Sequence, residues 1–259
     1  MEIRRLARQL GAVSAGVTPV EALIGQKAID LNILPSARSI VVNVCGHSWA
    51  ALDSKNLQIK QNDTIATYEK ARSISKQLAM ALEGEGHGAV AIPGFVPIEM
   101  TDGKQGMVGP VDLRRAAIEA GIGSYGKSGL LLVKGFGPRV RLGAVLTTAS
   151  LKPTMKKSKL TCPPDCQICI KGCPGKALLG EGEVDKRACG RMVFQYGLRG
   201  LTKFVGGMID ATSEERVEML KSHAFRELWQ TMVSGNYYYC FECQALCPIG
   251  RGNPSREDN

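Results

Sequence analysis

Cysteine thiols are the side chains of this 259-residue chain whose spacing points most directly to chemistry. Seven of the nine lie in two groups, CPPDCQICIKGCP (162–174) and CFECQALCP (240–248), and an eighth, Cys189, lies between them. Closely spaced thiolates bind zinc or iron–sulfur clusters, whereas a disulfide framework would spread its cysteines along a secreted chain. We therefore expect these thiols to be metal ligands.

Both cysteine groups end in Cys-x3-Cys-Pro, which resembles the signature of two-cluster bacterial ferredoxins. In that signature, closely spaced thiolates hold one 4Fe-4S cubane, and the cysteine before proline binds the other cubane. One cluster is then expected on Cys162, Cys166, Cys169 and Cys247. The other is expected on Cys173, Cys240, Cys243 and, as the best remaining ligand, Cys189. The spacing departs from the usual pattern once, because three residues rather than two separate Cys162 from Cys166.

Zinc is the alternative metal for these thiols, because four cysteines also satisfy a structural zinc site. The two Cys-x3-Cys-Pro endings favour iron–sulfur clusters. Two oxidised cubanes, each with a net charge of about −2 when its thiolates are counted, lower the formal net charge from +9 to about +5. Aromatic residues make up only 5% of the chain, which is few for base stacking, so nucleic acid is not an expected partner.

A glycine motif at residues 121–126, GIGSYG, matches the dinucleotide-binding pattern G-x-G-x-x-G letter for letter. That pattern requires a strand before it, a helix after it and an acidic residue about 20 positions on. Here a helix is predicted before the motif, the apolar run LLLV follows it, and Arg141 stands near the acidic position. We therefore reject a dinucleotide site. The glycines are expected either to lie flat against a large ligand or to shape a turn.

The segment AAIEAGIGSYGKSGLLLVKGFGPRVRLGAVLTTA (116–149) resembles the signature segment of epoxyqueuosine reductases and corrinoid reductive dehalogenases. The likeness extends to LGAVSAGVTP, LPSARSIVVNVCG and YEKARSISKQLAMALEGEGHGAVAIP, and to both cysteine groups with KRACGR between them. It implies an α+β fold, with a nitroreductase-like domain that binds base-off cobalamin and a ferredoxin-like domain with two 4Fe-4S clusters. We place these domains at residues 1–155 and 156–259, with a helical insert at about 200–235 in the second.

The resemblance implies an iron–sulfur oxidoreductase that is corrinoid-dependent and passes electrons through two 4Fe-4S clusters to cobalt, for reduction of a small organic substrate. The expected electron donor is a ferredoxin or flavodoxin. The alternative is a ferredoxin-like electron-transfer protein that serves a partner, for example a corrinoid protein, without substrate chemistry of its own. Guanidinium and ammonium groups suit the phosphate and amides of cobalamin. The expected cofactor-binding residues are Gly121, Gly123, Ser124, Tyr125, Gly126, Lys127, Arg139 and Arg141.

The proton donor is where this chain departs from the epoxyqueuosine reductases. They resemble one another in an aspartate fourteen residues before the first glycine of the signature, and Met107 stands at that position here. The sequence also ends before their helical-repeat extension, which touches tRNA, so queuosine chemistry is not expected. Tyr125 is the first candidate donor, since a phenol with a pKa of about 10 stays protonated at neutral pH, and Cys45 is the reserve. Their alternatives are a packed loop tyrosine and a small buried hydrophobe.

The elements that position these residues are predicted from periodicity and turn signals. Strands are predicted at 38–45, 89–93, 130–134 and 139–148, and helices at 64–83 and 110–120. A capping box, Thr212-x-x-Glu215, predicts a further helix with Val217, Leu220, Ala224 and Leu228 facing inward. At the start of the chain, Ile3, Leu6, Leu10 and Val13 form a helical stripe with no long apolar run after it. We therefore expect a cytoplasmic protein with no membrane segment.

Overall fold

The computed structural model describes residues 2–26, 28–101, 109–154, 158–236 and 238–251. Helices and strands are mixed along the chain, as the α+β expectation requires. No helix within those ranges is long and apolar enough to cross a membrane. Residues 155–157, at the expected domain boundary, lie outside the described residues. We refer below to residues 2–154 as the N-terminal part and to residues 158–251 as the C-terminal part.

A four-stranded antiparallel sheet forms the centre of the N-terminal part. Its strands lie in the order β1 (Ser14–Pro19), β2 (Ser39–Gly46), β6 (Val140–Thr147) and β3 (Ala89–Ile92). The central strands β2 and β6 are almost wholly buried, which explains their runs of valine, isoleucine and leucine. All but β1 were predicted; its sequence, SAGVTP, lacks a bulky apolar pattern. Two short strands, β4 (Gly123–Tyr125) and β5 (Leu131–Val133), pair separately.

A 28-residue helix, α4 (Leu57–Gly84), covers one face of the sheet. Its buried residues Ile74, Leu78 and Leu82 pack in one core with Val41 and Val145 of the central strands. The predicted helix began seven residues too late because the first part of the buried face is polar. Gln61, Thr64 and Thr67 are all buried there, and apolar periodicity does not detect such residues. The helix starts where the Asn56 side chain accepts a hydrogen bond from the Ile59 amide, at 3.1 Å.

Short helices complete the N-terminal part: α1 (Ile3–Gln9), α2 (Glu21–Ile24), α3 (Trp49–Asp53) and α5 (Leu113–Glu119). A single 3-10 turn lies at Leu31–Ile33. Helix α5 packs on the other face of the sheet through Ala116 and Ala117, which join the core of Val42 and Leu146. Asp112 caps α5 by accepting from the amides of Arg114 and Arg115, so this helix begins three residues after the predicted start at Pro110.

The C-terminal part consists of short helices and one small hairpin. In chain order these are α6 (Ile168–Lys171), β7 (Leu178–Gly180), β8 (Glu183–Val184), α7 (Lys186–Val193), α8 (Leu198–Asp210), α9 (Ser213–Lys221), α10 (His223–Ser234) and α11 (Glu242–Ala245). Helices α8, α9 and α10 lie between the two cysteine motifs in sequence and contact one another. The cysteines themselves lie in or beside the shorter helices.

The capping box at Thr212 and Glu215 is present, but the helix it opens is shorter than predicted. Ser222 ends α9 and caps α10 by accepting from the Phe225 amide at 3.2 Å, so the helical register is interrupted. The predicted inward face is therefore wrong for Val217 and Leu220, which are 49% and 45% exposed. Leu228 in α10 is buried, as predicted.

Candidate metal centre

Every cysteine of the chain is a free thiol, and the eight predicted ligands lie in or beside short helices. Cys169, Cys189 and Cys243 belong to α6, α7 and α11. The remaining five lie in the segments that flank α6 and α11: Cys162, Cys166, Cys173, Cys240 and Cys247. Four-residue helices end within one turn, so neighbouring thiols of one motif can face different directions. Such helices therefore suit a motif whose ligands serve two clusters.

The first thiol group, as we call it, consists of Cys162, Cys166, Cys169 and Cys247. Cys169 lies within electrostatic range of Cys162 and Cys166. Cys247, from the second motif, lies within electrostatic range of Cys162 and Cys169 of the first. The chain thus brings a thiol from residue 247 back to thiols some eighty residues earlier.

The second thiol group consists of Cys173, Cys189, Cys240 and Cys243. Cys189 lies within electrostatic range of Cys173 and Cys240. Cys243 has Cys173, Cys189 and Cys240 as neighbours, and also Cys169 of the first thiol group. The two groups therefore adjoin each other.

The surroundings of these thiols disfavour their negatively charged thiolate form. Burial and the negative charges of neighbouring cysteines raise the pKa of Cys243 to about 12. The same two causes, burial first, raise the pKa values of Cys169 and Cys189. Several thiolates in one place repel each other, so they ionise together only beside compensating cations, which a metal cluster supplies.

Backbone amides point at two of the sulfurs. The Lys127 amide donates to Cys162 Sγ at 3.4 Å, and the Ala177 amide donates to Cys173 Sγ at 3.3 Å. Hydrogen bonds to the sulfurs favour the thiolate form and tune the potential of a bound cluster. Each thiol group thus contains at least one sulfur that accepts a hydrogen bond from a backbone amide.

Among the described residues, no three His, Cys, Asp or Glu side chains lie close enough together to hold one metal ion. Tetrahedral zinc needs all four sulfurs at about 2.3 Å from one ion. A cubane spreads its four thiolates over four irons and so keeps them further apart. The chemistry of the donor set, four thiols in each group, fits a cubane.

The predicted cofactor-binding segment contacts the C-terminal part instead of an open cavity. Ser124 Oγ donates to the Leu160 carbonyl, and Lys127 Nζ donates to the Pro164 carbonyl. Arg139 is 1% exposed, and its guanidinium donates to three carbonyls at the end of α11 and in the loop after it. Arg141 donates to Gln244 Oε1 at 3.3 Å. These four side chains therefore join the two parts of the chain.

The glycines of the same segment lie against the chain's own backbone. A Cβ on Gly123 would stand 2.2 Å from the Leu132 carbonyl oxygen, and one on Gly126 would stand 3.1 Å from the Leu132 side chain. Gly121 has a φ of +72°, which glycine adopts without strain. These positions match the turn interpretation of the motif rather than a flat surface for a large ligand.

The two proposed proton donors occupy different environments. Tyr125 is 40% exposed, and burial followed by the Asp112 carboxylate raises its pKa, so its phenol is protonated at neutral pH. Its electrostatic neighbours are Asp112, Arg114 and Arg115, and its catalytic role stays a prediction. Cys45 is fully buried in the core beneath α4, where burial raises its pKa to about 11. Cys45 thus packs as a small hydrophobe. Met107 lies outside the described residues.

A buried polar cluster at the junction of the two parts was not predicted. His47 Nδ1 lies 2.5 Å from Asp63 Oδ2, while His47 Nε2 has no hydrogen-bond partner among the described residues. The Arg141 guanidinium carbon lies 4.9 Å from the centroid of the Tyr68 ring and 5.2 Å from that of Tyr238. His47 directly follows β2, but no local sequence pattern pairs it with Asp63 on α4.

Burial lowers the pKa of His47 to about 4 from its ordinary 6.5; Asp63 opposes this shift and Arg141 adds to it. The unfolded chain therefore takes up this proton first as pH falls, so acid favours unfolding. Between pH 7.5 and 5.5 we expect wild-type stability to fall by about 1 kcal/mol more than that of His47→Gln. Denaturant titrations at both pH values measure the difference. Exposed His87 provides the control, because His87→Gln should behave as the wild type does; equal acid sensitivity in His47→Gln would contradict the prediction.

A cavity of about 210 Å³ opens near this cluster. Tyr68 and Phe95, whose rings stack with centroids 4.7 Å apart, form one wall. Glu69, Arg72 and Asn236 are among its polar lining residues. Pockets for drug-sized ligands span about 300–1,000 Å³, so this cavity is smaller than such a pocket.

No protein-family model matches the chain. Individual known proteins do match it, and they include epoxyqueuosine reductases, which the motifs resemble. The epoxyqueuosine reductase of Listeria monocytogenes is 31% identical over 137 residues, which are 53% of this chain and 29% of that protein. The protein of the same name from Gloeobacter violaceus is 26% identical over 213 residues, covering 73% of this chain and 63% of its own length. The chain resembles the epoxyqueuosine reductases.

Solved structures extend the likeness to the fold. An epoxyqueuosine reductase from Streptococcus thermophilus aligns with a TM-score of 0.55 at 20% identity, covering 97% of this chain and 66% of that one. An epoxyqueuosine reductase with a tRNA stem loop aligns with a TM-score of 0.61 at 18% identity, covering 97% of this chain and 65% of that one. A catabolic reductive dehalogenase aligns with a TM-score of 0.57 at 17% identity, covering 73% of this chain and 28% of that one. The predicted resemblance to epoxyqueuosine reductases and reductive dehalogenases is therefore confirmed, although the chain spans less than two thirds of the curated relatives' length.

Proposed function

We propose that this chain is an iron–sulfur oxidoreductase that passes single electrons through two 4Fe-4S clusters, one on each thiol group. The observation that carries the proposal is the crossing of the two motifs. Cys247 of the second motif neighbours Cys162 and Cys169 of the first, while Cys173 of the first motif neighbours Cys240 and Cys243 of the second. This exchange is the ligand pattern of two-cluster ferredoxins. The named relatives, which are reductases, support the same activity.

The chain's own residues supply ligands, shielding and a short path between the clusters. Bound clusters would supply one-electron transfer. Cys243 has Cys169 of the other group among its electrostatic neighbours, so the two groups adjoin each other, as electron transfer between bound clusters requires. Phe241, which lies in sequence between two ligands of the second thiol group, is 2% exposed and so packs inside the protein. Thiolate ligands and hydrogen bonds to the sulfurs set the potential of a bound cluster.

Reductive titration of the anaerobically purified protein tests this function. Two clusters that each accept one electron should take up about two electrons per chain from dithionite, with paramagnetic signals appearing as the visible absorption bleaches. A chain that accepts no electrons, or whose metal is zinc, would contradict the proposed function. Reduced ferredoxin or flavodoxin is the donor we propose in place of dithionite.

Corrinoid binding is the finer part of the proposal. It is supported by the likeness to reductive dehalogenases, one of which is described in terms of B12-dependent dehalogenation. The residues predicted to hold the corrinoid do not present such a site, because Ser124, Lys127, Arg139 and Arg141 are bonded to the C-terminal part. We therefore derive no step through a corrinoid.

Cobalamin titration under reducing conditions separates the two forms of the proposal. Uptake of one cobalamin per chain would support a corrinoid-dependent reductase, with Tyr125 as proposed proton donor. Tyr125→Phe should then retain iron and cobalamin and lose turnover. No uptake by a chain with intact clusters would favour the electron-transfer protein that serves a partner.

We propose a tRNA stem loop as a second substrate class, beside the small organic molecule. One structural neighbour is described with such a stem loop, which runs against our expectation that nucleic acid is not a partner. That expectation rested on the scarcity of aromatic residues for stacking, whereas folded RNA is also recognised by shape and through phosphates and 2′-hydroxyls. Fluorescence anisotropy with a labelled stem loop tests the class. Binding that persists at 200 mM salt would support it, and binding seen only at low salt would indicate non-specific charge attraction.

A further inference from the structure

The turn between β5 and β6 lies unusually close to the loop that follows α11. A Cβ on Gly137 would stand 2.0 Å from the Ile249 carbonyl oxygen, and one on Gly250 would stand 2.3 Å from the Gly137 amide nitrogen. Both glycines have positive φ, +56° and +68°. The backbones of the two parts therefore approach to a distance that only glycine allows.

Arg139 occupies the end of this turn, and its guanidinium is committed to the same loop. It donates to the carbonyls of Ala245, Cys247 and Ile249 at 3.1, 2.5 and 2.9 Å. Its own carbonyl accepts from the His47 amide at 3.0 Å, so its backbone is tied to the end of β2. A buried guanidinium with three carbonyl partners fixes the course of the chain on both sides of Cys247.

The charge of Arg139 also reaches the Cys247 thiol. Arg139 Nη2 lies 2.5 Å from the Cys247 carbonyl oxygen, so only the backbone and Cβ of Cys247 separate the guanidinium from the sulfur. A cluster gains one negative charge on reduction, and a nearby cation in a buried site stabilises the reduced form. The Arg139 side chain thus positions the ligand Cys247 and lies where its charge can raise the reduction potential of a bound cluster.

We propose that Arg139 is a positioning residue for the first thiol group, holding the loop so that Cys247 meets Cys162 and Cys169, and raising the reduction potential of the cluster bound there. The inference rests on the two clusters proposed above. It assigns part of the metal site to the N-terminal part, because a ligand from residue 247 is held by a side chain from residue 139.

The test compares Arg139→Gln, Arg139→Lys and Arg8→Gln, all purified anaerobically. Arg8 is an exposed arginine of α1, so its replacement removes the same charge far from the loop contacts described here. Iron content and the midpoint potential of each cluster, followed by electron paramagnetic resonance, are the readouts. The variants are also made in a Cys189→Ser background. Only the first thiol group is expected to hold a cluster there, so its signal is observed alone.

We expect Arg139→Gln to lose iron from the first thiol group and its remaining cluster there to have a more negative potential. Arg139→Lys should keep the wild-type potential, because the charge remains, and lose part of the iron, because an ammonium group cannot span three carbonyls. Arg8→Gln should match the wild type in both readouts.

Wild-type iron content and potentials in Arg139→Gln would overturn the inference while leaving the proposed function intact. A shift in Arg139→Lys as large as in Arg139→Gln would overturn the role of the charge. Should Arg139→Gln fail to fold, full iron in Arg139→Lys would overturn the positioning role. A wild-type chain that holds no iron would overturn the proposed function and this inference together.

Discussion

Replacing Cys189 by serine is expected to leave the protein with about four of its roughly eight irons. Cys189 stands alone in sequence, in α7, and its thiol neighbours are Cys173 and Cys240. Loss of one of four thiolates exposes an iron of that cluster and lowers its binding strongly, because a hydroxyl is a poorer ligand for iron than a thiolate. The first thiol group keeps all four ligands. Colorimetric iron and sulfide assays on anaerobically purified protein measure the effect.

Two further variants show whether the loss follows the proposed ligand groups. Cys247→Ser should also halve the iron, but the surviving signal should be that of the other cluster. Cys45→Ala removes the ninth thiol, which lies in the core beneath α4 and in neither group, and should leave the iron content unchanged. Full iron in Cys189→Ser, or one shared surviving signal in Cys189→Ser and Cys247→Ser, would contradict the ligand assignment.

Gly143→Ala is expected to lower the free energy of unfolding by about 1–3 kcal/mol. Gly143 lies on β6 where α4 crosses the sheet, and a Cβ there would stand 2.4 Å from Ser75 Oγ and 2.8 Å from the Ala71 carbonyl oxygen. The second of these atoms is helix backbone, so relief requires α4 to move away from the sheet. Denaturant unfolding followed by circular dichroism measures the change.

Gly84→Ala is the matched control for this helix. Gly84 is the last residue of α4, and nothing lies within 4 Å of a Cβ placed there. Alanine favours helix over glycine, so stability should be unchanged or higher by up to about 1 kcal/mol. Equal stability of the Gly143→Ala and wild-type proteins would show that the packing of α4 does not depend on its close approach to β6 at Gly143.

Local sequence signals predicted much of the N-terminal sheet. The run Ile40-Val41-Val42 marks a strand buried on both faces, since each β-branched residue suits an extended backbone. The Thr212 capping box is equally local, because this cap depends on a residue three positions away. The grouping of the cysteines was predicted from the resemblance of their spacing to the ferredoxin signature.

The ferredoxin signature predicted that Cys247 joins Cys162 and Cys169, but the side-chain contacts between other distant residues were not predicted, because no short pattern encodes them. Arg139 was expected to bind a phosphate or amide, and its donors instead reach carbonyls more than a hundred residues away. The pairing of His47 with Asp63 depends on how α4 lies over the sheet. The inward face predicted for Val217 failed because Ser222 both ends one helix and begins the next.

Iron, acid-labile sulfide and zinc, measured together in anaerobically purified wild-type protein, test the central claim most directly. Two 4Fe-4S clusters on the first and second thiol groups require about eight irons and eight sulfides per chain, with no stoichiometric zinc. About four irons would mean that one thiol group holds no cluster. Stoichiometric zinc without sulfide would contradict the iron–sulfur assignment altogether.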